Sequence, residues 1–132
     1  MDLRTRRRFA ALSILVVDDQ IVVRQIVTAI CQKLGCEVID VATDGIEAVQ
    51  MVQDKVYDVV IADWNMEPVT GIQLLRTLRA DPRLSGTKFL LMTVRQDAAS
   101  VVQAKKAGVD AYIVKPFSPA ALQERLLAVL EH

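Results

Sequence analysis

An α/β domain, in which one parallel sheet is covered by helices on both faces, is the fold class this sequence predicts. Three observations carry it. Short runs are wholly apolar, the stretches between them place apolar residues three and four apart, and the two patterns alternate from residue 13 to residue 130. A continuous apolar run marks a strand buried on both faces, and the crossover between parallel strands needs a helix.

The elements follow in order. Ser13-Ile14-Leu15-Val16-Val17 reads as the first strand and ends in Asp18-Asp19-Gln20. Val23, Ile26, Val27, Ile30 and Leu34 form the stripe of an amphipathic helix, which Gly35 is placed to stop. Glu37 to Ala42 reads as a strand, and Asp44 to Gln53 as a helix with Ile46, Val49 and Val52 on one face. Val59-Val60-Ile61-Ala62 is a third strand, closed by Asp63. A loop from Trp64 to Thr70 leads into a helix bearing Ile72, Leu75 and Leu78, ended by Asp81-Pro82 because proline disfavours helical geometry in the residue before it. Lys88 to Met92 is the fourth strand, a helix with Val101, Val102 and Ala104 runs to Gly108, and Ala111 to Val114 is the fifth strand. Ser118-Pro119 reads as an N-cap with the favoured first-turn proline, opening a last helix that presents Leu122, Leu126, Val129 and Leu130. Five strands and five helices result.

The length of 132 residues suits one domain, and a composition 52% apolar and 24% charged suits a folded one. Sixteen basic residues balance sixteen acidic ones, which argues against a basic nucleic-acid binder. The balance is uneven. Arg4, Arg6, Arg7 and Arg8 stand against Asp2 in residues 1–12, expected to be a flexible basic arm ahead of a mildly acidic domain over 13–132. Cys31 and Cys36 have neither the spacing of a redox CxxC pair nor a second pair for zinc, and read as buried free thiols. The single histidine, His132, is the last residue and carries no assigned role, so an internal histidine-based triad or zinc enzyme is excluded. Thr5-Arg6-Arg7-Arg8-Phe9 is superficially like a twin-arginine export signal, but Asp18-Asp19 cuts short the apolar stretch after it, which is itself a strand. No run approaches the ~20 apolar residues of a membrane span, so a cytoplasmic domain without membrane insertion is expected.

The polar residues are informative by position. Asp18-Asp19, Asp63, Thr93 and Lys115 all stand at the carboxyl ends of strands, where open parallel sheets form their ligand crevice. Singly, Asp19 also suits a helix N-cap, Asp63 a loop carboxylate, Thr93 a capping hydroxyl and Lys115 a solvated charge. Jointly they bring three carboxylates and an ammonium to one point. Such a cluster calls for a cation, and hard oxygen ligands without imidazole or thiolate favour Mg²⁺ or Mn²⁺. A divalent ion beside a carboxylate, a hydroxyl and a lysine suits transfer of a phosphoryl group to the carboxylate. No GxxxxGK[ST] loop is present, so an intact nucleotide is not the expected donor.

With Leu15-Val16-Val17-Asp18-Asp19, Asp63-Trp64-Asn65-Met66 followed by Gly71, Leu91-Met92-Thr93 and Lys115-Pro116-Phe117 in place, the chain resembles the response-regulator receiver family. The likeness covers residue 13 to about residue 130 and is strongest to stand-alone chemotaxis-type members. It implies a flavodoxin-like sheet in the order 2-1-3-4-5, an order the receiver family is a standard example of. It further implies that Asp63 is the phosphoacceptor and that Asp18 and Asp19 bind Mg²⁺ with Asp63 and the Asn65 backbone carbonyl. The Asn65 side chain would then be free to act on the hydrolytic water. Thr93 resembles the switch hydroxyl, Lys115 the lysine that pairs with the phosphoryl group, and Pro116 the cis-peptide position. Tyr112 matches the aromatic whose rotamer follows the threonine, although simple packing of its ring explains it equally well.

The chain departs from the family pattern in places. Glu67 stands where the family has its loop proline, with Pro68 one place later. Val94 is branched where a small residue is usual and is expected to narrow access to Asp63, while Arg95 is expected to reach Glu67 or the phosphoryl oxygens and tune hydrolysis. The implied function is two-component signalling, with a sensor histidine kinase or histidine phosphotransfer protein as donor and a downstream protein as target. The alternatives are a phosphorelay intermediate and a phosphorylation-independent interaction module. An enzyme acting on an external phosphoester is not expected, because Asn65 occupies the place of the second catalytic acid.

Overall fold

The computed structural model describes residues 1–131, and His132 lies outside them. Five parallel strands form one sheet in the order β2-β1-β3-β4-β5. They are β1 (Ser13–Val17), β2 (Val38–Ala42), β3 (Val59–Asp63), β4 (Lys88–Thr93) and β5 (Ala111–Val114). The helices are α1 (Leu3–Ala11), α2 (Ile21–Leu34), α3 (Gly45–Asp54), α4 (Gly71–Ala80), α5 (Ala98–Ala107) and α6 (Pro119–Leu130).

The apolar runs are explained by two cores, one on each face. Leu15, Val17, Val60, Ala62, Phe89 and Leu91 pack with α3, α4 and α5. Their neighbours Ile14, Val16, Val59, Ile61, Leu90 and Met92 pack with α1, α2 and α6. Successive strand residues point to opposite faces, so a sheet covered on both sides demands apolar residues at every position. Edge strand β2 is covered less completely, and Val38 and Val41 remain 41% and 43% exposed.

Local sequence sets the helix ends. Asp44, Thr70, Asp97 and Ser118 each accept a hydrogen bond from a first-turn N–H, and Thr70 forms a reciprocal capping box with Gln73. Gly35 ends α2 at φ 108°, in the left-handed region where a side chain would be strained.

The first twelve residues depart from expectation. Within them Leu3–Ala11 form α1, a sixth helix beside the five expected. Asp2 caps it by accepting from the Thr5 N–H at 2.8 Å, and the Phe9 ring is fully buried in the second core. Two of its arginines complete other helices: Arg6 donates to the Lys33 carbonyl at 3.1 Å and Arg8 to the Leu130 carbonyl at 2.6 Å. Both acceptors lie in last turns, where carbonyls have no partner within their own helix. The apolar stripes are also narrower than their periodicity suggests. Ile26, Ile46 and Val102 stay 49%, 46% and 48% exposed, because the sheet covers only one face of each helix.

Candidate functional site

The site forms where β1, β3, β4 and β5 end. Asp18 follows the last residue of β1, Asp63 is the last residue of β3, Thr93 the last of β4, and Lys115 follows β5. Strand register brings them together: Val17 stands beside Ala62, Asp63 beside Met92, and Thr93 beside Val114. Asp18, Asp63 and Thr93 are buried, while Asp19 is exposed.

One carboxylate oxygen from each of Asp18, Asp19 and Asp63 lies within 4.8 Å of the other two. Lys115 Nζ sits between two of them, 2.9 Å from Asp18 Oδ2 and 3.0 Å from Asp63 Oδ1. The Asp18 carboxylate also accepts from the Gln20 N–H at 2.9 Å, and its backbone carbonyl accepts from Arg24 at 2.7 Å. The helix N-cap is Gln20, so Asp19 does not serve as one. Lys115 is likewise a bridge between carboxylates rather than a solvated charge.

Two carboxylates at this separation repel by about 3 kcal/mol at the effective dielectric usual for protein sites. One ammonium cannot neutralise three. Burial pushes the Asp63 carboxyl above its ordinary range; Lys115 opposes that shift, and Asp18 and Asp19 add to it. Burial works against the Lys115 charge, but hydrogen bonds and attraction from Asp18 and Asp63 outweigh it and hold the ammonium above its ordinary range. The resulting surplus of negative charge, borne by oxygen donors alone, fits a hard divalent cation held by Asp18, Asp19 and Asp63.

The loop after Asp63 is held close to the strand. The Trp64 N–H donates to the Met92 carbonyl at 2.8 Å, and the Gly71 N–H donates to the Trp64 carbonyl at 3.0 Å. A Cβ at residue 71 would stand 2.3 Å from the Asp63 carbonyl oxygen. Glycine is therefore required eight residues after the aspartate. The Lys115-Pro116 peptide is cis, as the resemblance implied, and Glu67-Pro68 is cis as well.

Sequence reasoning missed one cluster. The Arg95 guanidinium lies over the Trp64 ring, 4.6 Å from its centroid, and donates to Asn65 Oδ1 at 3.3 Å. Tyr112 meets Trp64 edge to face at 6.5 Å, and its hydroxyl donates to the Arg95 carbonyl at 2.7 Å. Arg95 thus engages Asn65 and Trp64 rather than Glu67, and the Asn65 side chain is tied rather than free. Thr93 Oγ1 accepts from the Arg95 N–H at 3.0 Å, so it does hold the following turn. Asp19, Asn65, Glu67 and Arg95 line a hollow of about 490 Å³ at the mouth of the site. Val94, 60% exposed, lines a second, mostly apolar hollow with Val23, Ile26, Pro116, Phe117 and the site residue Lys115. No local pattern signals the cluster, because Trp64, Arg95 and Tyr112 lie in separate segments of the chain.

The family model described as the response regulator receiver domain matches residues 14–127. The chain belongs to that family. Over 120 residues the receiver is 38% identical to the chemotaxis protein CheY-3 of Vibrio cholerae, covering 91% of this chain and 92% of that protein. Its fold matches the solved structure of the chemotaxis response regulator CheY4 of Vibrio cholerae with a TM-score of 0.84 at 32% identity, over 89% of this chain and 98% of that one. It also matches the receiver domain of a Pseudomonas aeruginosa sensor histidine kinase, solved with a magnesium ion coordinated in its active-site cleft. That match has a TM-score of 0.82 at 26% identity, over 92% of this chain and 98% of the other. The family model begins at residue 14, so α1 of this receiver lies outside it.

Proposed function

We propose that this receiver accepts a phosphoryl group on Asp63 in a Mg²⁺-dependent reaction and thereby changes its affinity for a protein partner. The observation that carries the reading is the convergence of three carboxylates, two of them paired with Lys115, at the carboxyl edge of the sheet. A carboxylate oxygen of Asp63 attacks phosphorus, and the bond to the donor's imidazole or acetate breaks, leaving an aspartyl phosphate. Asp18, Asp19 and Asp63, with the Asn65 carbonyl, would hold Mg²⁺ (or Mn²⁺), which when bound offsets the charge gathering on the phosphoryl oxygens. Lys115 turns from Asp18 and Asp63 toward those oxygens.

Thr93 is the switch group in this reading. For its hydroxyl to reach the phosphoryl group, the bond it accepts from the Arg95 N–H must break, and Tyr112 is tied to the same residue through the Arg95 carbonyl. Movement of Thr93 therefore alters the turn between β4 and α5, and with it the surface of α5, β5 and α6. A histidine kinase or phosphotransfer protein in the cytoplasm is the donor, and a protein the target. Glu67, Val94 and Arg95 tune access and hydrolysis. Incubation with Mg²⁺ and acetyl phosphate, followed by intact mass measurement, tests the reaction. One phosphoryl increment that Asp63→Asn and chelation both abolish is expected. Its absence, with partner binding retained, would leave an interaction module independent of phosphorylation.

A further inference from the structure

The two cysteines lie away from the carboxylate cluster, at the end of α2. Cys31 is in the last turn, and Cys36 follows the left-handed Gly35. The Cys36 N–H donates to the Cys31 carbonyl at 3.0 Å, and the Gly35 N–H donates to the Gln32 carbonyl at 3.0 Å. This is the Schellman turn, whose outer bond joins two residues with side chains in contact. Usually that contact is between hydrocarbon groups. Here both are thiols, 0% and 5% exposed, in the core that also holds Phe9, Ile30 and Leu34.

Helix α1 rests on this turn. Arg6 donates to the Lys33 carbonyl, and a Cβ at residue 35 would stand 2.8 Å from Arg6 Cγ and 3.1 Å from the Arg6 carbonyl oxygen. The thiols also act on each other. Their mutual hydrogen bond, with burial, raises the Cys31 thiol above its ordinary range, and the same bond draws the Cys36 thiol below its own against the effect of burial. Reactivity also follows access, and Cys36 at 5% exposed has surface that Cys31 at 0% lacks.

We propose that Cys31 and Cys36 form a dithiol that closes to an intramolecular disulfide when the protein meets a peroxide. Their backbones are joined by a hydrogen bond and their thiols interact directly, the proximity that a disulfide requires. The Cys36 thiolate attacks a peroxide oxygen, the O–O bond breaks, and hydroxide leaves to take up a proton as water. Cys36 is then a sulfenic acid. The Cys31 sulfur attacks it, the S–O bond breaks, and the departing hydroxide takes the Cys31 thiol proton as a second water. Two electrons pass from the dithiol to the peroxide. The disulfide spans the turn on which α1 rests, so oxidation reports on the amino edge of the sheet and is independent of the chemistry at Asp63.

The full reduced chain is treated with hydrogen peroxide under native conditions, then quenched, alkylated in denaturant and digested with trypsin. Lys33 lies between the two cysteines, so cleavage separates the peptide 25–33 from the peptide 34–55. A disulfide keeps them joined until reductant is added, and that joined species is the expected result. Cys31→Ser is expected to stop at a sulfenic acid on Cys36 that dimedone traps, whereas Cys36→Ser leaves Cys31 unmodified over the same time. Two alkylated, separate peptides after native treatment would overturn the proposal. So would stepwise oxygen addition at Cys36 in the unsubstituted protein, or a disulfide found only between two chains.

Discussion

The two edges of the sheet use charge in opposite ways. At the carboxyl edge, Asp18, Asp19 and Asp63 crowd together, with one lysine shared by Asp18 and Asp63, and burial drives the Asp63 carboxyl upward. At the amino edge, Arg6 and Arg8 each close a helix end by donating to a carbonyl that its own helix cannot satisfy. The first arrangement costs stability unless a cation offsets its surplus negative charge. The second contributes stability at all times. The candidate site thus lies where the fold is least comfortable, while α1 reinforces the far end.

Asp63→Asn draws the contrast most sharply. It is expected to abolish phosphoryl incorporation altogether and, in chelator, to raise stability by about 1 kcal/mol, because one of the crowded charges is gone. A raised folded-state pKa means that Asp63 favours the fold below its unfolded pKa of about 4 and loses that contribution as pH rises through the higher folded value. The gap in thermal midpoint between Asp63→Asn and the unsubstituted protein should therefore shrink as pH falls through the raised folded value toward about 4 and stay constant below it, and Mg²⁺ should narrow it at neutral pH. A lower midpoint for Asp63→Asn in chelator would show that the carboxylates are not in net repulsion.

Phe9→Ala tests the other edge. Removing the buried ring should cost about 3 kcal/mol in urea denaturation while leaving the acetyl phosphate rate within about twofold. If labelling fell in step with stability, the two edges would not be separable. Lys115→Ala should cost about 2 kcal/mol without metal, since Asp18 and Asp63 lose their shared cation, and Mg²⁺ should restore much of it. The loss should persist across neutral pH, because the ammonium pKa is raised and its contribution is withdrawn only at strongly alkaline pH. Arg6→Ala should cost about 1 kcal/mol, the loss of one charged donor to a helix end. Val94→Ala is expected to speed acetyl phosphate labelling by about threefold, less than 1 kcal/mol in barrier. An unchanged rate would remove Val94 from the entry path.

The central site was largely legible in the sequence because a buried parallel strand announces its end. Val17 to Asp18, Ala62 to Asp63 and Val114 to Lys115 are each a step from apolar to charged. Helix α1 was not legible, since its only buried residue is Phe9 and its arginines act on carbonyls that become neighbours only after α2 and α6 have folded. The same reason hid the grouping of Trp64, Asn65, Arg95 and Tyr112. These residues come from three separate segments, and their meeting depends on where two loops cross.

Alternating apolar patterns, cap residues and the polar steps at strand ends were enough to establish an α/β domain with its acids at one edge, because those signals are local and repeat with the backbone's own periods. Folding in three dimensions decided the rest: that Lys115 is shared by Asp18 and Asp63, that Arg95 binds Asn65 rather than Glu67, and that a basic segment becomes a helix. Hydrogen bonds and charge pairing act over a few ångströms, and only the tertiary fold sets which distant residues come that close.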